Sequence, residues 1–321
     1  MALKFENPFV RDRYREECFE REAAILEKFK GQKNVLQIND CIAIFPYSIP
    51  LPTGGSYPIS FRFVSLELAR YSLFEYIYGN KKYTPLRSLA YFREICKGVQ
   101  RLHNAQVCHR DLRPQNCLVM SAKYVVVGDL GTAKTLDGSV PPPNTPYGEP
   151  VGHKQYTAPE LLCGLDSDTG LAYVSDKYSL GAILFELFTA SPLNLYLYSI
   201  KDIDDKMISP FSQVQDVKRK EVFDATIGAL EAACPLPDID DVAPDGSIPD
   251  CIRPRLNRLY KDLCCLDYRK RTTTFDWLFL QIDIMRKVLV AEIRRLRRER
   301  DKARVRAMRQ GLAKRVLNQN A

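Results

Sequence analysis

Apolar and polar positions recur with two different periods along this chain, and the changes of period mark most of its elements. From Arg11 to Lys30, Phe19, Ala23, Leu26 and Phe29 return at helical spacing among charged residues, which predicts an amphipathic helix. Leu89, Phe92, Ile95, Val99 and Leu102 predict a longer one over Leu86–Asn104. A short helix is expected to begin at Ser72–Ile77. Residues 1–5, Cys41–Phe45 and Ser60–Leu68 read as strands, the second of them short and buried. Pro46, Pro50, Pro52, Gly54 and Gly55 predict a loop between the last two. Thr274–Leu278 starts a further helix, and a long one is expected from Leu289. Leu289, Ile293 and Leu296 share a face there, but Arg300, Ala303 and Ala307 continue it too poorly for a coiled coil. The Pro-rich, acidic stretch 235–252 reads as an inserted loop.

One polar run stands apart from these periods: His109-Arg110-Asp111-Leu112-Arg113-Pro114-Gln115-Asn116. Thirteen residues after Asn116 comes Asp129-Leu130-Gly131, behind the apolar Tyr124–Val127. A carboxylate such as Asp111 can orient a hydroxyl and accept its proton. Asn116 offers a neutral oxygen and Asp129 a charged one, the donors a hard cation prefers. Two short strands flanking a hairpin would bring Asn116 and Asp129 together. Taken singly, an Asp or Asn here is a turn or helix-capping residue; the ordered set at this spacing is what carries meaning.

That set resembles the H-R-D-L-x-x-x-N and D-F-G loops of eukaryotic-type protein kinases, and the resemblance extends over roughly residues 1–284. It implies an α+β, bilobal fold with a small β-rich N-terminal lobe and a larger, mainly α-helical C-terminal lobe. The implied domains are 1–69 (a partial small lobe with its helix and hinge), 70–284 (the large lobe) and 285–321 (a basic helical tail). Ala2-Leu3-Lys4 resembles the V-A-I-K motif, so Lys4 would hold ATP phosphates. Arg21–Leu26 resembles R-E-A-x-I-L, which aligns Glu22 as the partner of Lys4, with Glu17 and Glu20 as competitors. Val64–Ala69 is similar to the kinase hinge. Leu66 would be its gatekeeper, the Glu67 and Ala69 backbones would bind adenine, and Ala2 and Leu118 would line the nucleotide. By the same likeness Asp111, Arg113 and Asn116 form the catalytic set, and Asn116 and Asp129 hold Mg²⁺. Asp129 to Glu160 matches an activation segment ending in A-P-E, with Ser139, Thr145 and Tyr147 as candidate phosphorylation sites facing Arg110. Val174–Leu187 resembles the D-x-x-S-L-G start of a buried helix, whose Asp176 would bind the catalytic-loop backbone. Arg271 would pair with Glu160.

Three departures bear on activity. No Gly-rich loop precedes Lys4, and the family's first two strands are not in the sequence. Either the true start lies upstream of Met1, which would occupy a natural apolar strand position, or the chain is a pseudokinase scaffold. Arg113 stands where Ser/Thr kinases carry Lys, and His153 where they carry a bracing Thr. Pro114 resembles the Ser/Thr class more than the Tyr class. The implied activity is transfer of the ATP γ-phosphate to Ser or Thr of protein substrates; the alternative is a scaffold with little catalysis. A small-molecule phosphotransferase ranks behind both, because that group lacks the A-P-E segment.

Composition narrows the picture in two ways. The ten cysteines include no C-x-x-C pair, and only three histidines accompany them, which fits reduced core thiols in an intracellular, cytoplasmic protein and disfavours a zinc site. No secretory signal or membrane-spanning run is visible. Of the +8 net charge, Met285–Ala321 carries +10 and the rest −2. The tail is therefore a candidate surface for an acidic partner, nucleic acid or an acidic membrane.

Overall fold

A computed structural model describes all residues except 8, 10–11, 80–82, 140–151, 166–168, 202–208, 212 and 320–321. Strand β1 (Ala2–Phe5) leads to helix α1 (Arg13–Lys28), then β2 (Ile38–Pro50) and β3 (Ser56–Leu66). These strands form one antiparallel sheet in the order β1-β3-β2. Helix α1 starts at Arg13 because the Asp12 side chain accepts the Arg15 N–H at 2.9 Å and caps it. Its Phe19, Ala23, Ile25 and Leu26 are buried.

The expectation of a short buried strand at Cys41–Phe45 followed by a loop is corrected here. The strand runs from Ile38 through Pro46 to Pro50, and the turn comes at 51–55, where Gly54 and Gly55 adopt φ 85° and 86°. Proline ends a strand only where its N–H is needed, and β2 is a sheet edge. Nor is it buried: Ile44, Phe45 and Tyr47 are exposed.

The second half begins with β4 (Tyr71–Ser72), α2 (Leu73–Tyr78) and α3 (Pro85–Asn104). Ser72 and Glu75 form a capping box on α2; Thr84 caps α3, with Pro85 in its first turn. The five predicted apolar positions of α3 are all fully buried. Strands β5 (Val107–Cys108), β6 (Cys117–Ser121), β7 (Tyr124–Val127) and β8 (Lys134–Thr135) make two small sheets, β4-β6-β7 and β5-β8. Among the described residues seven α-helices follow: α4 (Pro159–Leu162), α5 (Thr169–Thr189), α6 (Leu193–Lys201), α7 (Ser209–Phe211), α8 (Asp216–Ala233), α9 (Arg253–Cys264) and α10 (Phe275–Gln319). Residue 285, where the sequence suggests a tail, lies within the unbroken α10. All ten cysteines are free, and burial pushes the thiols of Cys96, Cys108 and Cys117 well up. Among the described residues no helix is long and apolar enough to cross a membrane.

Helix α5 runs through the core, with Leu180 and Ala182–Phe185 at 0% exposure. Two buried acids bear on it, Glu160 on the neighbouring α4 and Glu186 on α5 itself. Glu160 receives both arms of Arg271, Nη1 at 2.6 Å and Nη2 at 2.8 Å, and Ser175 Oγ at 2.9 Å. Arg271 also donates to the Cys265 and Leu266 carbonyls and lies 4.9 Å from the Tyr178 ring centre. Glu186 has no cationic partner among the described residues. Its Oε1 accepts the Tyr78 hydroxyl at 2.7 Å and the Tyr156 hydroxyl at 3.1 Å, and its buried Oε2 has no hydrogen-bond partner. Burial pushes its carboxyl up to about 6.

Two outcomes follow from these acids. Arg271→Ala strands the Glu160 charge in the core and should lower unfolding free energy by about 3–5 kcal/mol, read from urea midpoints. For Glu186 the folded state holds the proton more tightly than an unfolded Glu, which titrates near 4.5. The penalty for ionising it is therefore absent below pH 4.5 and complete above pH 6. Relative to Glu186→Gln, the wild type should lose about 2 kcal/mol across that window. Parallel pH–stability curves for the two proteins would contradict this.

Candidate active site

The predicted site residues come from four places, and the fold draws them into two linked clusters. The first forms around Lys4 on β1. Its Nζ lies 2.5 Å from Glu22 Oε2 on α1 and 3.0 Å from Asp129 Oδ1. The competing acids are engaged elsewhere: Glu17 with Arg13 and Glu20 with Arg62. Burial lowers the Lys4 ammonium's affinity for its proton, but the two carboxylates outweigh it and raise the pKa above the usual value. Burial also works against the Asp129 charge; Lys4, His109 and Arg113 overcome it and hold this carboxyl below the usual range. Asp129 adopts φ 58°, a left-handed conformation that costs a non-Gly residue about 1–3 kcal/mol. Gly131 follows because α1 passes so close: a Cβ there would lie 3.1 Å from the Cys18 carbonyl oxygen. Leu130, the residue between, is fully buried. A cavity of about 190 Å³ opens among Lys4, Cys18, Glu22, Asp129 and Gly131.

The second cluster forms around Asp111. Its Oδ2 accepts Asn116 Nδ2 at 3.0 Å, and its Oδ1 accepts the His153 backbone N–H at 3.0 Å. Asn116 Nδ2 also donates to the Asp111 carbonyl at 2.8 Å, so both amide hydrogens turn toward Asp111 and the amide oxygen is left as an acceptor. Arg113 Nε lies 3.5 Å from Asp111 Oδ2, an ion-pair distance without a hydrogen bond. Gly152 makes the His153 contact possible. It sits at φ 96°, and a Cβ would come within 2.5 Å of the Arg110 carbonyl oxygen. The two clusters are joined through backbone, since the Gly128 N–H donates to the Asn116 carbonyl at 2.9 Å.

Asp176 on α5 holds the loop that carries Asp111 from beneath. Its oxygens accept the N–H groups of His109 at 2.8 Å and Arg110 at 2.9 Å, together with His103 Nε2 at 2.8 Å. Burial would raise this carboxyl, but the His103 and His109 rings and the Arg110 amide bring it below the ordinary value. Sequence reasoning missed His103. It occupies a position at the end of α3 that carries no catalytic motif, and a charged-polar residue on the inner side of an amphipathic helix was its only signal.

The nucleotide-lining positions are placed less closely. Ala2 pairs with Leu66 across β1 and β3, the Glu67 N–H donates to the Gln37 carbonyl at 2.9 Å, and Ala69 follows in the link to β4. Leu118 belongs to a different sheet, on β6 opposite Val126. Of the candidate phosphorylation sites, Thr145 and Tyr147 lie outside the described residues. Ser139 Oγ is 2.5 Å from Lys28 Nζ on α1.

Known proteins resemble this chain in sequence. A family model described as protein kinase domain matches residues 1–281. A probable cell division protein kinase of Encephalitozoon cuniculi is 32% identical over 54% of this chain and 56% of its own length. Human cyclin-dependent kinase 20 is 29% identical over 54% of this chain and 44% of its own. A probable serine/threonine-protein kinase, nek3, of Dictyostelium discoideum is 32% identical over 39% of this chain and 10% of its own. The chain thus spans about half the length, or less, of the curated relatives it matches. With the Lys4–Glu22 pair, the braced Asp111 loop and Asp129 on one scaffold, and a family match from residue 1 to 281, the chain belongs to the protein kinase family.

Proposed function

We propose that this protein transfers the γ-phosphate of ATP to Ser or Thr hydroxyls of protein substrates, with Mg²⁺. The observation that carries the proposal is the convergence on Lys4: its ammonium joins Glu22 to Asp129, while Asp111 and Asn116 share a hydrogen bond one backbone contact away. The donor set fits the group it would hold. Asn116 keeps an amide oxygen available and Asp129 a second carboxylate oxygen, both suited to a hard cation. Bound ATP and Mg²⁺ would supply the phosphoryl group and neutralise its oxygens.

The chain's own residues then divide the remaining tasks. Lys4, steadied by Glu22, binds phosphate oxygens. Asp111 receives the substrate hydroxyl's hydrogen bond and takes its proton. Arg113 adds a forked cation beside it. The Glu67 and Ala69 backbones hold adenine between Ala2 and Leu118. The Ser/Thr preference rests on Pro114 and on relatives named as serine/threonine or cyclin-dependent kinases. Phosphate on Ser139 would sit beside Lys28. The basic tail is the surface offered to an acidic partner, nucleic acid or membrane. A scaffold role is the second reading, favoured by Arg113 and His153 at positions where Ser/Thr kinases carry Lys and Thr.

Thermal shift with ATP and Mg²⁺ beside a radiolabelled phosphate-transfer assay separates the two. The wild type should show both a raised melting temperature and transfer to a generic Ser/Thr substrate. Asp111→Asn should keep the shift and lose transfer by roughly 10²- to 10⁴-fold, the usual worth of acid–base assistance. Lys4→Met should diminish both. A wild-type protein with neither shift nor transfer would overturn the proposal and favour the scaffold, or a non-functional fragment.

A further inference from the structure

We propose that the groove between α3, the β6–β7 turn and α10 is a docking site for an acidic, partly apolar peptide segment of a partner protein. It shares no lining residue with the candidate active site, and it stands whether or not the catalytic reading does. The groove encloses about 920 Å³, within the size range of built ligand sites.

The floor and the rim differ in character. The floor is aliphatic, with Leu86 and Ala90 from α3 and Val290 and Ala291 from α10. The rim carries five cations, Arg87, Lys123, Arg286, Lys287 and Arg294, against two acids, Glu94 and Asp283. Both acids are already engaged. Asp283 accepts Arg93 at 2.9 and 3.0 Å and Arg286 at 3.3 Å. Glu94 accepts Lys97 at 2.5 Å and the Asn34 amide at 2.8 Å. Lys123, Lys287 and Arg294 have no acidic partner among the described residues. A scattered surface lysine is simply solvated. These three cations come from a turn and a helix and converge on one concave apolar floor. That combination complements a segment carrying carboxylates beside aliphatic side chains.

The walls are also fixed relative to one another. Leu278, Ile282, Met285 and Leu289 bury the first turns of α10 against the body. Arg93 on α3 grips Asp283 with two nitrogens and lies 5.3 Å from the Phe279 ring centre. A groove held this way needs little ordering when a ligand enters. Beyond it, α10 continues with exposed Arg297, Arg298, Arg300 and Arg304, a field that would speed the approach of an acidic partner. A peptide is favoured over single-stranded nucleic acid because none of the described residues lining the groove is an aromatic that could stack a base.

The test is fluorescence anisotropy on the full chain with three labelled probes: a dodecapeptide alternating Glu and Leu, one alternating Glu and Ser, and a single-stranded dodecamer oligonucleotide. Two variants are compared with the wild type, each checked by its melting temperature. Lys123→Glu/Lys287→Glu reverses the rim, and Ala291→Trp fills the floor without touching charge. The Glu–Leu probe should bind most tightly, weaken with added salt, and lose about tenfold in each variant. Absence of binding, or binding that neither variant alters, overturns the proposal. So does an oligonucleotide that binds more tightly than the peptide and weakens in the same variants.

Discussion

The Asp111 loop depends on one buried carboxylate. Asp176 is 1% exposed and takes the amides of two consecutive residues, His109 and Arg110, together with the His103 ring. An ionised carboxylate buried without such donors would cost several kcal/mol. Arg110, for its part, sits at φ 65°, where a non-Gly residue is strained. Neither feature is stable alone, and each supplies what the other lacks. The support continues downward. Ser175, the neighbour of Asp176, donates to Glu160, and Glu160 is held by Arg271. The bend that presents Asp111 is thus tied through α5 to an ion pair in the deepest part of the core.

Lys4 performs the corresponding task across the upper half. Its partners lie at positions 22 and 129, so one ammonium joins the small sheet, α1 and the loop after β7. Partly exposed ion pairs contribute little to stability by themselves. Here Glu22 is buried, so withdrawing Lys4 would leave a desolvated carboxylate behind. Helix α1 is tied to the same loop twice more, by Arg21 donating to the Ala133 carbonyl at 3.2 Å and by the close passage of Gly131 over Cys18. A shift of α1 would therefore move Glu22 and the Asp129 loop together. The position of one helix is thereby coupled to the geometry of the candidate metal ligand.

What could be read from the sequence was what chemistry imposes on side-chain types. Asp111, Asn116 and Asp129 stand at a spacing that few other functions require, and the helical period of α1 and α3 exposed their buried faces. What could not be read travels through backbone or depends on context. The His153 contribution is an N–H, which every non-proline residue owns, and it reaches Asp111 only because Gly152 can approach the Arg110 carbonyl. Glu186 resembles any helix glutamate until the fold places two tyrosine hydroxyls on it. The strand through Pro46 and Pro50 was misread because proline was weighed as a breaker, without knowing that β2 would be an edge.

The surroundings of Asp111 show why Arg113 and His153 need not disable the site. A Lys and a bracing Thr would supply one positive charge and one hydrogen bond to this carboxylate. Here the orientation of Asp111 is fixed from two sides by the Asn116 amide and the His153 N–H, neither of which depends on the side chain at 153. Burial and the neighbouring Arg113 lower the His153 pKa. Near neutral pH its ring therefore adds no positive charge. Among the described residues the cation beside Asp111 is Arg113. What changes is shape. A planar guanidinium replaces a point charge, able to fork onto two phosphate oxygens but less able to follow one as it moves. The substitutions therefore keep a cation beside the proposed base and alter its directionality. Their first effect would fall on how substrate and phosphate are oriented.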